Sequence, residues 1–187
     1  RCSDEIFKQL SQNYLKFRNT CKFCLDNLVS FDPDHLVQPD EMLPLDKWAV
    51  TRLNSLIEKV FAAYDNYEFH VVSHMINDFC VVDLSSFYFD IIKDRLYCGE
   101  ENGLERRSAQ TAVWMILDAM TRMFAPILAF TCDEVWLAMP HRSADDARNV
   151  LFNEMVQPYA AYALSQEEMG RWARIAALRT AVNGALE

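Results

Sequence analysis

The segment 83–97 limits the choice of fold more than any other part of this chain. More than half of its fifteen residues are apolar or aromatic, and Lys93, Asp94 and Arg95 place three charges near its end. A helix this apolar is buried around most of its circumference, so its charged side chains need partners or access to water. The segment therefore predicts the central helix of a helical bundle, with polar groups at one end.

The size and the ends of the chain indicate one domain from a longer protein. A length of 187 residues is enough for a single substantial core. The longest apolar run, Met123–Phe130, is far too short to span a bilayer, and the polar N-terminus has no signal-peptide pattern. We expect a cytoplasmic protein without membrane contact. The absence of an initiator Met leads us to expect a fragment.

The six cysteines predict reduced thiols rather than a metal site. Most of them lie inside apolar helical patterns, as is typical of cytosolic proteins; they are residues 2, 21, 24, 80, 98 and 132. Cys21 and Cys24 have zinc-ligand spacing, but no second Cys or His pair follows at ligand spacing. His70 and His74 likewise lack a third ligand nearby in sequence, so we expect no metal.

The distribution of charge leaves room for an anionic partner. The formal net charge of −9 argues against a general nucleic-acid binder. Residues 1–22, however, contain five bases, including Arg1, against two acids, whereas residues 26–46 contain six acids and no Lys or Arg. This asymmetry allows one face of the protein to be cationic.

Hydrophobic periodicity predicts an all-α protein, with no sustained strand alternation. Six helices are expected, at about residues 3–31, 44–67 with a polar break around 65–66, 68–97, 104–124, 131–140 and 165–187. Ser3 is the predicted N-cap of the first helix, and Pro44 is the predicted first residue of the second. The pairs Thr131/Glu134 and Ser165/Glu168 have capping-box spacing.

The same periodicity predicts the core and the organisation of the chain. Ile6 and Leu10 belong to the inward stripe of the first helix, and Tyr67 ends that of the second. Five aromatic side chains are predicted core residues, namely Trp48, Phe87, Tyr88, Trp114 and Trp136. We expect a bundle over residues 1–140, a connector over 141–164, and the start of a following helix over 165–187.

No catalytic motif is present in the sequence. Four glycines leave no glycine-rich phosphate loop, and no zinc-protease, nucleophile-elbow or kinase motif occurs. The residues alone predict a non-catalytic helical bundle.

Several longer motifs carry a family resemblance. They are Tyr14-x-x-x-Arg18-Asn19-Thr20, Phe79-Cys80-x-x-Asp83-Leu84-Ser85, Lys93-Asp94-Arg95-Leu96-Tyr97, Arg106-Arg107-Ser108-x-Gln110-Thr111 and Ala125-Pro126-Ile127-Leu128-x-Phe130-Thr131. In this register, over almost the whole chain, the sequence resembles the anticodon-binding helical bundle of the isoleucyl-tRNA synthetases, which are class I enzymes. Valyl-, leucyl-, methionyl- and cysteinyl-tRNA synthetases share the bundle and a segment similar to the last motif. The Arg-Asn-Thr element and the run after Asp83 resemble the isoleucyl family specifically.

The resemblance implies a function for the chain and for its parent. The parent would use ATP with Mg²⁺ to attach isoleucine to its tRNA, and this domain would hold the anticodon stem-loop. The ATP-site signatures His-Ile-Gly-His and Lys-Met-Ser-Lys-Ser are absent from the sequence, so the chain alone should be non-catalytic and need no cofactor. Any zinc of the parent would lie in a separate C-terminal module. The alternatives are a related class I synthetase and a protein-interaction bundle whose acidic surface binds a basic partner.

Five basic side chains are the candidate tRNA contacts: Arg18, Lys93, Arg95, Arg106 and Arg107. For the Arg106–Arg107 pair the alternative is an ion pair with Asp90 or Asp94. Lys93 and Arg95 lie about 200° apart on their helix, so one is expected to pair with an acid while the other contacts RNA.

Weaker candidates lie on the first helix. Asn19 is expected to be a buried polar tie between helices rather than a base contact. Lys8, Lys16 and Lys22 are either phosphate contacts or plain solvated lysines, and the second is the favoured interpretation.

Overall fold

Seven α-helices and one π-helical segment form the architecture of residues 3–186, the part of the chain that this computed structural model describes. Arg1, Cys2 and Glu187 lie outside the described residues. The helices are α1 (Asp4–Asn27), α2 (Pro44–Asp65), α3 (Phe69–Asp78), α4 (Phe89–Cys98), α5 (Leu104–Phe124), α6 (Ala129–Ala138) and α7 (Gln166–Leu186). Residues 3–186 contain no β-strand, which confirms the all-α prediction.

Helix α5 lies at the centre of the bundle. Every residue from Ser108 to Ala125 is buried, and α5 contacts α1, α2, α3, α4 and α6. The prediction that segment 83–97 is the central helix is therefore wrong. That segment has an open face with Ser85, Asp90 and Lys93 exposed, whereas the polar residues of α5 are buried among partners, which periodicity cannot anticipate.

The predicted long third helix is present but changes its winding. Helix α3 leads into a π-helical segment, Phe79–Tyr88, which leads into α4. The hydroxyls of Ser85 and Ser86 donate to the carbonyls of Cys80 and Val81, each five residues earlier, at 2.8 and 2.6 Å. This five-residue spacing is that of a π-helix, which is rare and usually much shorter.

Two of the predicted caps are confirmed. The Ser3 Oγ accepts a bond from the Ile6 N–H at 3.4 Å, and Ser165 and Glu168 bond each other reciprocally. Pro44 opens α2 as predicted. Helix α1 ends at Asn27, earlier than expected, because the chain then turns with Ser30 at a φ of 64°.

The predicted cap at Thr131 is wrong. Helix α6 begins at Ala129, so Thr131 and Glu134 lie inside it. Both side chains face α1 instead, where the Thr131 hydroxyl lies 3.3 Å from that of Tyr14 and Glu134 pairs with Arg18.

The predicted aromatic core is confirmed, because Trp48, Phe87, Tyr88, Trp114 and Trp136 are all buried. Three apolar predictions are wrong. Ile6 and Leu10 are exposed, since only the second half of α1 packs on the bundle. Tyr67 is 80% exposed, because it lies beyond the end of α2 in a turn with positive φ.

Residues 141–164, the expected connector, pack against the bundle. Asn54 of α2 bonds both the N–H and the C=O of Tyr159, at 2.7 and 3.1 Å. Two short 3-10 helices, Val150–Phe152 and Ala160–Tyr162, are the regular structure in this segment. The Tyr162 hydroxyl donates to the carbonyl of Val37 at 2.9 Å.

Four of the cysteines are buried free thiols, as expected: Cys21, Cys24, Cys80 and Cys132. Burial raises the pKa of Cys80 and of Cys132 to about 12. Cys98 is exposed, at the end of α4. Within residues 3–186, no three His, Cys, Asp or Glu side chains are grouped in a way that could hold a metal ion.

None of the helices in the described part of the chain is long and apolar enough to cross a membrane.

Candidate nucleic-acid interface

Arg18 lies on the exposed side of α1 and is paired with α6. Its guanidinium forms two bonds to the Glu134 carboxylate, at 2.9 and 3.0 Å, and a weaker one to the Tyr14 hydroxyl. The bonds between Arg18 and Glu134 raise the pKa of the arginine and lower that of the glutamate. The positive charge of Arg18 is thus largely compensated by its partner.

Arg95 belongs to a buried polar cluster at the centre of the molecule. Its two terminal nitrogens donate to the Asp46 carboxylate, at 2.9 and 3.0 Å, and only 17% of its side chain is exposed. The same carboxylate accepts bonds from the hydroxyls of Tyr88, at 2.7 Å, and Ser108, at 2.6 Å. Burial and the nearby Asp46 carboxylate raise the pKa of Tyr88 well above its usual value.

This cluster joins the start of α2 to α4 and α5, because Asp46, Arg95 and Ser108 lie on these three helices. A buried carboxylate requires such donors, since an unpaired charge in the interior costs several kcal/mol. Arg95 is therefore held in a structural position.

Lys93 also has an acidic partner. Its ammonium lies 2.8 Å from the Asp90 carboxylate, which accepts a second bond from Arg179 of α7 at 2.8 Å. The hydrogen bond from Lys93 lowers the pKa of Asp90, and the same bond raises the pKa of Lys93. The expectation that only one of Lys93 and Arg95 pairs with an acid is wrong, because both do.

Within residues 3–186, Arg106 and Arg107 form no ion pair, so the alternative interpretation, a pairing with Asp90 or Asp94, is wrong. Arg107 donates to the side-chain oxygens of Asn102, at 2.6 Å, and Gln110, at 3.1 Å. Both hydrogen-bond partners are neutral, and the charge of Arg107 helps to lower the pKa of Asp32 without an ion pair between the two in the described structure. The Nε of Arg106 is buried without a hydrogen-bond partner in the described structure.

The two arginines lie in the first turns of α5. The N-cap of this helix is Gly103, which has no side chain to cap it, and the first backbone bond runs from Arg107 N–H to the Gly103 carbonyl. The backbone N–H groups of the first helical turn, before this bond, have no acceptor within the helix. Such free N–H groups favour anions, as does the positive end of the helix dipole. Glu105 in the same turn reduces but does not cancel the charge of two guanidinium groups.

Asn19 is exposed rather than buried, so the prediction of a buried tie is wrong. It lines a groove that α1 forms with the π-helical segment and α4, and that has a volume of about 490 Å³. We call this the α1–α4 groove. Its lining consists of Lys16, Asn19, Thr20, Phe23, Val81, Ser85, Phe89, Asp90 and Lys93.

Sequence reasoning did not identify this groove. Lys16 and Asn19 lie more than sixty residues before Ser85 and Lys93, and no local pattern links the two segments. The motif Arg18-Asn19-Thr20 contains two residues that line the groove, Asn19 and Thr20. It does not indicate which segment of the chain forms the opposite wall.

The surface is not uniformly anionic. Ten of the lysines and arginines in the described structure form ion pairs. Within residues 3–186, those that form none are Lys8, Lys16, Lys47, Lys59, Arg106, Arg107 and Arg174. Of the five candidate residues, only Arg106 and Arg107 belong to this set.

Comparison with known proteins agrees with this architecture. The chain is 45% identical over 186 residues to the isoleucine–tRNA ligase of Coxiella burnetii (strain Dugway 5J108-111). The aligned region covers 99% of this chain and 20% of that protein. It is 45% identical to the isoleucine–tRNA ligase of Geobacter sulfurreducens and 42% identical to that of Thermoanaerobacter sp. (strain X514), with 100% of this chain and 20% of each relative covered. The chain thus spans about a fifth of the length of these relatives.

A family model described as the anticodon-binding domain of tRNA ligase matches residues 46–186, from the third residue of α2 to the end of α7, with the packed segment 141–164 included. The match extends over well more than half of the sequence. The chain therefore belongs to the family of anticodon-binding domains of tRNA ligases.

Proposed function

We propose that this chain is the part of an isoleucine–tRNA ligase that holds the anticodon stem-loop of isoleucine tRNA. The observation that carries the proposal is the continuous similarity to isoleucine–tRNA ligases, at 45% identity over 99% of the chain. The relatives reported above are all isoleucine enzymes, which favours this assignment over a valyl, leucyl or methionyl enzyme.

In this proposal the chain binds RNA and the chemistry takes place elsewhere in the parent protein. ATP with Mg²⁺, and any zinc of the parent, would be held by regions outside these 187 residues. The partners of the chain are the tRNA and the rest of the synthetase, and the expected location is the cytoplasm.

The first contact that we propose lies at the start of α5. Guanidinium groups bind phosphates through two donors in a fixed plane, and contacts to the backbone of a nucleic acid position it. Arg106 and Arg107 offer this chemistry beside an uncapped helix N-terminus, with no ion pair to an acid in the described structure. Arg18, Lys93 and Arg95 would have to leave a carboxylate first.

Replacing both arginines tests this contact. We expect Arg106→Ala with Arg107→Ala to weaken the binding of isoleucine tRNA about tenfold, the equivalent of about 1.4 kcal/mol. The melting temperature should change little, because neither arginine takes part in a described ion pair and the two side-chain bonds of Arg107 go to neutral groups. Binding is measured by fluorescence titration and stability by thermal denaturation.

The matched control removes two arginines from α7 by Arg171→Ala with Arg174→Ala. Both are exposed, and within residues 3–186 the ion-pair partner of Arg171 is Glu167 on its own helix. This double variant has the same net charge as the α5 double variant. It should keep most of the affinity of the unmodified chain for isoleucine tRNA. A larger loss of stability than of affinity in the α5 variant would assign Arg106 and Arg107 to a structural role.

A protein-interaction bundle is the rival function, and the net charge of −9 favours it. An acidic surface that binds a basic partner would leave the affinity for tRNA negligible at every salt concentration. Measurable tRNA binding that weakens as salt is added supports the proposed function instead.

A further inference from the structure

We propose that the α1–α4 groove receives one unpaired nucleotide of the RNA loop, with its base against Phe23 and its phosphate between Lys16 and Lys93. This inference rests on the proposed function and names a second part of the binding site. The groove volume of about 490 Å³ lies within the range of roughly 300–1,000 Å³ that is typical of sites for small molecules.

The charge around the groove is positive despite the anionic total. Lys16 is exposed and forms no ion pair among the described residues. Lys93 and Arg179 share the single carboxylate of Asp90, so one negative charge serves two cations. Asp94 is close enough to Lys93 to contribute to the raised pKa of that lysine. The three cations Lys16, Lys93 and Arg179 thus outnumber the two acids Asp90 and Asp94. One phosphate would neutralise the remaining positive charge.

The groove also has an aromatic wall. The ring of Phe23 stacks on that of Phe89, with centroids 4.2 Å apart and planes inclined by 25°. Phe89 is buried and fixes the orientation of this pair, whereas Phe23 is half-buried and lines the groove. Proteins that bind single-stranded nucleic acids combine such aromatic platforms with cationic grooves, because every base can stack on a ring.

Two polar groups can read the edge of a stacked base. The amide of Asn19 is exposed and makes no side-chain hydrogen bond within residues 3–186, so its donors and acceptor are available. The Ser85 hydroxyl gives its proton to the carbonyl of Cys80, which leaves its oxygen able to accept. A free phosphate would use the lysines alone. A nucleotide also uses the ring and the amide, which is why we assign the groove to RNA.

The groove and the start of α5 lie close enough to serve one RNA loop. Gly99 follows Lys93 by six residues, or about 9 Å of helix. The Cβ of Arg106 lies 3.5 Å from the position that a Cβ on Gly99 would take. A nucleotide in the groove is therefore a neighbour of phosphates held by Arg106 and Arg107.

The test uses a short RNA hairpin with the anticodon loop of isoleucine tRNA, in which 2-aminopurine replaces each loop base in turn. Stacking on Phe23 should quench the fluorescence of 2-aminopurine at one loop position. We expect Lys16→Ala to weaken hairpin binding about tenfold. Lys8→Ala, which removes the same charge from an exposed and unpaired position on the same helix, should weaken it less than twofold.

At saturating hairpin, Asn19→Ala and Phe23→Leu should each reduce the quenching at that position. Asn19 is exposed, so its variant keeps the fold and provides the result even if Phe23→Leu lowers the melting temperature. Equal affinities of the Lys16 and Lys8 variants, or full quenching in Asn19→Ala, would overturn the groove assignment.

The same titrations separate the two proposals. Hairpin binding that depends on Arg106 and Arg107 but not on Lys16 or Asn19 would remove the groove and leave the proposed function intact. An absence of hairpin binding by the unmodified chain would remove both.

Discussion

Asp46 shows how a single buried charge can organise a small all-α domain. Its carboxylate is inaccessible to solvent and accepts bonds from Arg95, Tyr88 and Ser108. The Ser108 hydroxyl in turn accepts a bond from the Leu43 N–H at 2.9 Å, which fixes the chain just before α2. At the scale of residues, this cluster explains why a basic side chain in a family motif need not contact RNA.

Removing the arginine of this cluster should destabilise the fold. We expect Arg95→Ala to lower the free energy of unfolding by about 3–5 kcal/mol, because the buried Asp46 carboxylate loses its cation. The control is Arg52→Ala, which breaks the partly exposed pair with Asp83 and should cost less than about 1 kcal/mol. Both are measured by urea denaturation. Equal and small losses in the two variants would show that Arg95 is free to serve another function.

The helices of this domain differ in how firmly they are held. In α5 the buried polar side chains have partners: Ser108 and Gln110 bond other segments, and Arg122 bridges Asp118 to Asp145. Helix α7, by contrast, packs through the partly buried side chains Met169, Trp172 and Ala176. The two helices have the same length, 21 residues, and they make a direct internal comparison.

Hydrogen exchange should reveal this difference between elements. The amides of α5 should exchange through global unfolding, and those of α7 through local opening, since little apolar area holds α7 in place. With typical domain stabilities of about 5–15 kcal/mol, we expect exchange in α7 to be faster by about a thousandfold or more. Peptide-resolved exchange measured by mass spectrometry checks this, and similar protection of the two helices would contradict the packing described here.

The sequence predicted most of these elements because their boundaries depend on local chemistry. Proline at the start of α2, the Ser3 cap and the Ser165/Glu168 capping box act within a few residues. The start of α6 was missed because Thr131 and Glu134 are used in contacts with α1. The π-helical segment was also missed, since a ten-residue segment rich in apolar side chains does not distinguish the α-helical from the π-helical winding.

The candidate site was less predictable than the fold. The sequence identified Arg106 and Arg107 as candidates. It does not show that Asp90, a possible acidic partner of these arginines, binds Lys93 and Arg179 instead. The α1–α4 groove requires the juxtaposition of residues far apart in sequence, and so does the pairing of Arg18 with Glu134.

At the scale of the whole molecule, the question is how a chain with a net charge of −9 could bind the RNA that the proposed function assigns to it. Most of its cations are already paired with carboxylates, and the unpaired ones include Lys16, Arg106 and Arg107. Only a few phosphates can therefore be neutralised. We expect modest affinity, with a dissociation constant in the micromolar range or weaker, since the chain spans about a fifth of its relatives.

The most direct test of the account is the salt dependence of tRNA binding by this 187-residue chain. Neutralisation of three or four phosphates predicts that the logarithm of the association constant falls with that of salt concentration with a slope of about −2 to −3. Isoleucine tRNA should bind more tightly than an unrelated tRNA at each salt concentration. A slope near zero, or equal binding of the two tRNAs, would contradict the claim that this bundle holds an anticodon stem-loop.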